Sequence, residues 1–276
     1  MKIQYASDLH LELSENSRWI GKNPLEVAGD ILILAGDIVY LGSEAHMKHP
    51  FWDWCAENFR QTLVVPGNHE LYGGFDASLL AKEFSLEVRE NVRYYNNKVV
   101  TIDGVDIILS TLWANISIAD AFMVERSIND FRRIVCDEER LTFTKFNQMH
   151  EESLEFIKQA IAASTASKKI VVTHHLPSNL LVAERFRGSR LNGAFVSEQG
   201  NWIAESDIDY WIYGHSHTNI DDVIGSTVCV SNQLGYVNQA GVPESDFNPG
   251  KIIFLGDYIQ FYTTSCCRLS RLHKRS

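Results

Sequence analysis

The feature of this sequence that most restricts its fold is a set of short, unbroken apolar runs, of which Ile31-Leu32-Ile33-Leu34-Ala35 is the clearest. A strand with one wet face alternates polar and apolar residues, whereas an unbroken run needs apolar cover on both faces. Comparable runs rich in β-branched residues recur at 3–6, 62–65, 99–102, 105–109, 169–173, 208–213, 227–230, 252–255 and 259–262. Helical spacing falls between them: over 142–163, Phe143, Phe146, Met149, Phe156, Ile157, Ala160 and Ile161 share one face. Segments 76–90 and 197–205 are shorter candidate helices. Alternation of this kind predicts an α/β domain. Asp103-Gly104 and Gly256-Asp257 each separate two runs, which predicts tight hairpins adding antiparallel strands. No composition break suggests a second domain, so one domain over 1–262 is expected, followed by a solvated basic tail at 263–276.

The polar residues that follow the runs carry the chemistry. Five predicted strands end in metal-type ligands: Asp8-Leu9-His10, Gly36-Asp37, Gly67-Asn68-His69-Glu70, His174-His175 and Gly214-His215-Ser216-His217. Open α/β sheets bind ligands at the carboxyl ends of their strands. In an extended segment residues i and i+2 point the same way, so Asp8 with His10, and His215 with His217, are expected to reach one site as pairs. A single Asp-x-His or Gly-Asp is usually a turn; five strand ends delivering Asp, Asn and His are not accounted for by turns. The donors are imidazole, carboxylate and amide without thiolate, which favours Mn²⁺, Fe²⁺/Fe³⁺ or Zn²⁺ over Mg²⁺ and Ca²⁺. His46, His49, His150 and His273 are expected to be bystanders.

Bulk properties exclude several classes. The charge is −10, from 25 basic and 35 acidic residues, which argues against a broad nucleic-acid footprint. It does not argue against an anionic substrate, because bound cations invert the local field. No apolar stretch has the length of a membrane span, and no signal-peptide pattern opens the chain. The five cysteines form no C-x-x-C pair, which fits a reducing compartment and a cytoplasmic protein.

In order and spacing, Asp8-x-His10, Gly36-Asp37, Gly67-Asn68-His69-Glu70, His174 and Gly214-His215-x-His217 resemble the motifs of the calcineurin-like metallophosphoesterases. The resemblance runs from residue 1 to about residue 262. It implies a four-layer αββα sandwich of mixed sheets with a di-metal site where the loops of the two sheets meet. Carried over, one ion takes Asp8, His10, Asp37 and His217, and the other takes Asp37, Asn68, His174 and His215, with Asp37 bridging. His174, directly after its strand, is the expected ligand; His175 is expected to stand behind it. His69 is left free to serve the leaving group, and Glu70 either orients it or faces solvent.

The implied activity is phosphoester hydrolysis, in which a water activated between the two ions attacks phosphorus. Two divalent ions against Asp8, Asp37 and one hydroxide leave a charge of about +1 to attract the ester. The Asp-Arg-Gly of the Ser/Thr protein phosphatases is missing after Gly36-Asp37, and without a guanidinium clamp in the motifs a small, singly charged diester fits slightly better than a monoester. Asn129 and Arg132 in one segment, and Arg185 and Arg187 in another, are the candidate substrate contacts. The similar bacterial members share the Thr-Leu-Trp at 111–113 and the Asn-x-x-Gly-Tyr at 232–236. A DNA nuclease of the same superfamily and a non-catalytic scaffold of the same fold are the rival readings. The nuclease is disfavoured by an acidic chain without room for a cap after 262, and the scaffold by retention of the whole ligand set.

Overall fold

Each apolar run buries its two faces in different cores. In the strand Ile31–Ala35, Leu32 and Leu34 enter one cluster with Trp52 and Tyr94, while Ile31, Ile33 and Ala35 enter another with Ile107 and Val172. This two-sided burial explains why such segments cannot alternate with polar residues.

The computed structural model describes residues 1–255. The Gly256-Asp257 turn, the strand expected at 259–262 and the basic tail lie outside the described residues. Strands β1 (Lys2–Ala6), β2 (Ile31–Ala35), β3 (Gln61–Val65), β4 (Phe84–Arg89), β5 (Val92–Asn96), β6 (Lys98–Ile102) and β7 (Val105–Ser110) come first. A ribbon follows, β8 (Val135–Cys136) with β9 (Glu139–Arg140). Then come β10 (Lys168–Thr173), β11 (Tyr210–Tyr213), β12 (Asp222–Ile224), β13 (Thr227–Ser231) and β14 (Ile252–Phe254).

Two mixed six-stranded sheets result, in the orders β14-β1-β2-β3-β5-β4 and β12-β13-β11-β10-β7-β6. In each the four central strands are parallel and the two edges antiparallel. The sheets pack on each other through Ile3, Ile33, Leu63, Ile107, Ile170 and Ile212. Helices Ser14–Lys22 and Pro50–Asn58 cover the outer face of the first sheet through Ile20, Phe51 and Trp52. Helices Phe143–Ala163 and Gly200–Ala204 cover the second through Ile157, Ile161 and Ile203. The arrangement is the expected four-layer αββα sandwich.

The helix expected at 142–163 is present, with Thr142 as its N-cap accepting from the Lys145 N–H. Asp103-Gly104 closes the β6–β7 hairpin with both residues left-handed, φ 52° and 78°, as a two-residue I′ turn requires. The helix expected at 76–90 is corrected. A 3-10 turn, Ala77–Leu80, is followed by β4, in which Phe84, Leu86 and Val88 alternate onto the core. That period of two outweighs the helical spacing of the first half. The helix expected at 197–205 is only Gly200–Ala204. Among the described residues no helix is long and apolar enough to cross a membrane.

Candidate metal centre

Because the central strands of each sheet are parallel, their carboxyl ends lie on one edge, and the residues that follow β1, β2, β3, β10 and β11 meet there. Donor atoms of Asp8, His10 and His217 lie within 4.8 Å of one another, as do those of Asp37, His174 and His215. Asn68 joins the second group, its Oδ1 3.0 Å from His174 Nε2. The first group approaches Asp37 through His10 Nε2, 3.8 Å from Asp37 Oδ2. All seven candidate ligands are thus brought together, with Asp37 between the groups. His69 also comes within 4.8 Å of His10 and Asp37.

The reason expected for the i, i+2 pairs was extended backbone, and the structure corrects it. Asp8, His10, Asp37, His215 and His217 all stand in the left-handed region, with φ of 54°, 46°, 57°, 74° and 48°. For a residue with a Cβ this conformation costs on the order of 1–3 kcal/mol. The loops hold one another in it: Asp8 N–H donates to Gly36 O and His10 N–H to Asp37 O, each at 2.9 Å. Gly36, itself at φ 89°, is needed for closeness, since a Cβ there would lie 2.3 Å from His174 Nδ1.

Outer partners fix the direction of every imidazole. His10 Nδ1–H donates to Glu12 Oε1 at 3.1 Å and His217 Nδ1–H to Glu244 Oε1 at 2.5 Å. His174 Nδ1–H donates to Ala35 O at 2.9 Å and His215 Nε2–H to Ala194 O at 3.3 Å. With those nitrogens serving as donors, the inward ones carry lone pairs when the rings are neutral. Yet His10 Nε2 faces His217 Nε2 at 3.1 Å, and His174 Nε2 faces His215 Nδ1 at 3.1 Å. Facing lone pairs need a cation or a proton between them. Burial opposes charge on Asp8 and Asp37, but neighbouring imidazoles, His217 beside Asp8 and His174 beside Asp37, hold both carboxyls below their ordinary range. Burial also opposes charge on His174 and His217, yet Asp37 raises the first to about 9, and Asp8 with Glu244 the second to about 10. His215, buried beside His174, falls to about 3. A nest that gathers protons in this way fits metal cations, whose binding displaces those protons.

Glu70 neither orients His69 nor faces solvent. Its buried carboxylate accepts from the N–H groups of Gly67 at 2.7 Å, Asp37 at 2.9 Å and Ile38 at 2.8 Å, tying the loops after β2 and β3 together. His175 is packed between Trp113 and His215, with ring centroids at 5.3 and 4.2 Å. Burial and the neighbouring His215 keep it neutral.

Four participants were not expected from the sequence. Glu12, its side chain fully buried, accepts from His69 Nδ1 at 2.9 Å as well as from His10. Asp130 accepts from Asn68 Nδ2 at 2.8 Å and Tyr72 OH at 2.5 Å, which turns the Asn68 oxygen toward His174. Glu244 holds His217, and Tyr236 lays its ring beside His10 and His217 with its hydroxyl 3.3 Å from His69 Nε2. Glu12 continues the Asp-x-His spacing by two residues and Tyr236 closes the Asn-x-x-Gly-Tyr element, whereas Asp130 and Glu244 carried no signal of this role.

A cavity of about 400 Å³ opens beside the cluster, lined by Asn68, His69, Asn129, Asp130, Arg185 and Tyr236 among others. Asn129 and Arg185 therefore stand where substrate contacts were expected. Arg132 and Arg187 do not: Arg132 turns back to the Arg126 carbonyl, and Arg187 is exposed outside the lining. Arg190 pairs with Asp120 at 2.6 Å on the surface.

The family model for calcineurin-like phosphoesterases matches residues 1–219, a span containing all seven candidate ligands. The chain belongs to the calcineurin-like phosphoesterase family. Tyr236 and Glu244 lie beyond the matched span. Over 272 residues the chain is 29% identical to uncharacterized protein L509 of Acanthamoeba polyphaga mimivirus, covering 90% of this chain and 94% of the viral protein. Among solved structures it is similar to phosphopantetheinyl hydrolase of Mycobacterium tuberculosis, with a TM-score of 0.60 and 16% identity over 85% of this chain and 89% of that one. At that identity the likeness speaks for the fold.

Proposed function

We propose that this phosphoesterase is a two-metal hydrolase of small phosphoesters, with a modest preference for diesters. The observation that carries the reading is the pair of donor groups meeting at Asp37, with each imidazole aimed inward by an outer partner. Asp8, His10, Asp37 and His217 would hold one ion, and Asp37, Asn68, His174 and His215 the other. Two ions of the Mn²⁺, Fe²⁺/Fe³⁺ or Zn²⁺ kind supply positive charge for the phosphoryl oxygens and make water acidic enough to attack.

The chain's own residues do the rest. Glu12 accepts the hydrogen bond of His69 Nδ1–H, so the Nε2–H of the protonated ring faces the cavity and can pass its proton to the leaving oxygen. Arg185 is the only Lys or Arg among the described residues lining the cavity, while Asp130 and Glu244 bring negative charge. One guanidinium suits a monoanion better than a dianion. The cavity has the dimensions of a small-molecule site, and among the described residues its lining lacks the basic track that a nuclease needs along a strand. A non-catalytic scaffold has no use for five left-handed ligand residues. The described thiols Cys55, Cys136 and Cys229 are buried and free, which supports the reducing, cytoplasmic setting.

The test is a screen of Mn²⁺-loaded protein on bis(p-nitrophenyl) phosphate, p-nitrophenyl phosphate, cyclic nucleotides and single-stranded DNA. Turnover of the small diester above the monoester and the DNA is expected. No turnover of any of them by protein carrying its ions would overturn the reading.

A further inference from the structure

One part of the cavity wall presents apolar side chains that neither bind metal nor move protons. Between residues 176 and 196 the chain makes three 3-10 turns, Asn179–Leu181, Glu184–Phe186 and Asn192–Ala194. This segment lines the cavity with Leu176, Val182, Phe186, Leu191 and Phe195, joined by Ile128. The apolar wall begins at the candidate metal centre itself, because Phe195 stacks on His215 with centroids 4.6 Å apart at 29°. It leaves Phe186 45% exposed, a large apolar side chain beside a polar site. The Arg185 guanidinium lies over the Phe186 ring at 4.8 Å and also reaches Thr218 Oγ1 at 3.3 Å. Charge and apolar surface therefore meet at one point of the lining.

We propose, resting on the phosphodiesterase reading above, that the substrate is a phosphodiester with one apolar arm, alkyl or aryl. The phosphate lies between the His/Asp cluster and Arg185, and the arm covers Phe186, Leu191 and Phe195. An arm bearing a second phosphate or a carboxylate fits poorly, since Arg185, the only Lys or Arg among the described residues lining the cavity, is already engaged by the first. In the reaction the oxygen of water forms the new bond to phosphorus, and the bond from phosphorus to the leaving oxygen breaks. The leaving alcohol departs with a proton, and the apolar arm stays on the monoester product.

The discriminating experiment uses the metal-loaded protein and a series of alkyl p-nitrophenyl phosphates with methyl, ethyl and butyl arms. A buried methylene is worth about fourfold in binding, so kcat/KM is expected to rise at least about tenfold from methyl to butyl. Phe186→Ala and Leu191→Ala should each lower the butyl-to-methyl ratio. Calorimetry gives a readout independent of turnover: dibutyl phosphate should bind with a negative heat-capacity change that dimethyl phosphate lacks. Turnover of every ester at one rate would overturn the apolar arm while leaving the phosphodiesterase reading intact. A ratio unmoved by both substitutions would overturn its placement on this wall. No turnover of any ester by protein carrying two ions would overturn the underlying reading, and the inference with it.

Discussion

Glu12 touches two imidazoles with one oxygen, so removing it should affect both the metal centre and the proposed proton donor. Its Oε1 lies 3.1 Å from His10 Nδ1 and 2.9 Å from His69 Nδ1, and its side chain is fully buried. Hydrogen bonds to a charged group contribute about 1.5–3 kcal/mol, against about 0.5–1.5 for neutral pairs. Glu12→Gln keeps the acceptor and loses the charge, a change of about 1–1.5 kcal/mol in orienting energy, or roughly tenfold in metal affinity or kcat. Its amide nitrogen would replace Oε2, which is buried without a partner, and that unpaired donor should also lower the melting temperature. Glu12→Ala removes both bonds and frees both rings to turn, which should cost roughly 100-fold, the upper end for a partner behind a metal ligand. The assay is chelator competition for metal affinity with kcat on bis(p-nitrophenyl) phosphate, with melting recorded in parallel. A folded Glu12→Ala protein with wild-type affinity and kcat would refute the reasoning.

Three further outcomes follow from the same geometry. His69→Ala should keep both ions, lose roughly 10²–10⁴-fold in kcat on an alkyl ester and lose less on a p-nitrophenyl ester, whose leaving group needs no proton; equal losses, or loss of an ion by metal analysis, would contradict the role. His174→Ala should release metal, whereas His175→Ala should cost only about 10–100-fold; metal analysis showing the reverse would exchange the two assignments. Burial holds the His150 imidazole below its ordinary pKa despite its hydrogen bond to Leu112 O at 3.2 Å. The unfolded chain therefore takes up the proton first, and the stability this ring contributes is present above pH about 6.5 and lost as pH falls. The melting temperature of wild type should drop more steeply below that pH than that of His150→Gln; parallel curves would contradict it.

The parts legible in the sequence are those in which chain order itself carries the information. Unbroken runs such as Ile31–Ala35 foretell two-sided burial, and a ligand directly after such a run must stand at the carboxyl edge, so Asp37 and His174 could be placed without coordinates. Apart from Glu12, two residues after His10, the side-chain partners behind these residues come from distant segments with no periodic signal. Glu244 reaches His217 from a loop 27 residues further on, and Asp130 reaches Asn68 from 62 residues away. Side-chain direction in short turns was equally hidden: Asn129 and Arg132 are three residues apart, yet Asn129 lines the cavity and Arg132 folds back on Arg126. Leu79, Leu80 and Phe84 mimic a helical stripe, and only the alternation of Phe84, Leu86 and Val88 against the core marks β4. Asp8 with His10, and His215 with His217, do converge, but through left-handed turns and not along extended strands.

The central claim is that Asp37 joins two metal sites into one centre, and metal content tests it most directly. Wild-type protein loaded with Mn²⁺ and dialysed should retain about two ions per chain, as a two-metal site requires. Asp37→Ala, which removes the only carboxylate among the described residues placed between the two donor groups, should retain fewer and turn over no phosphoester. Two tightly held ions in that variant, or a single ion in the wild type, would contradict the bridge.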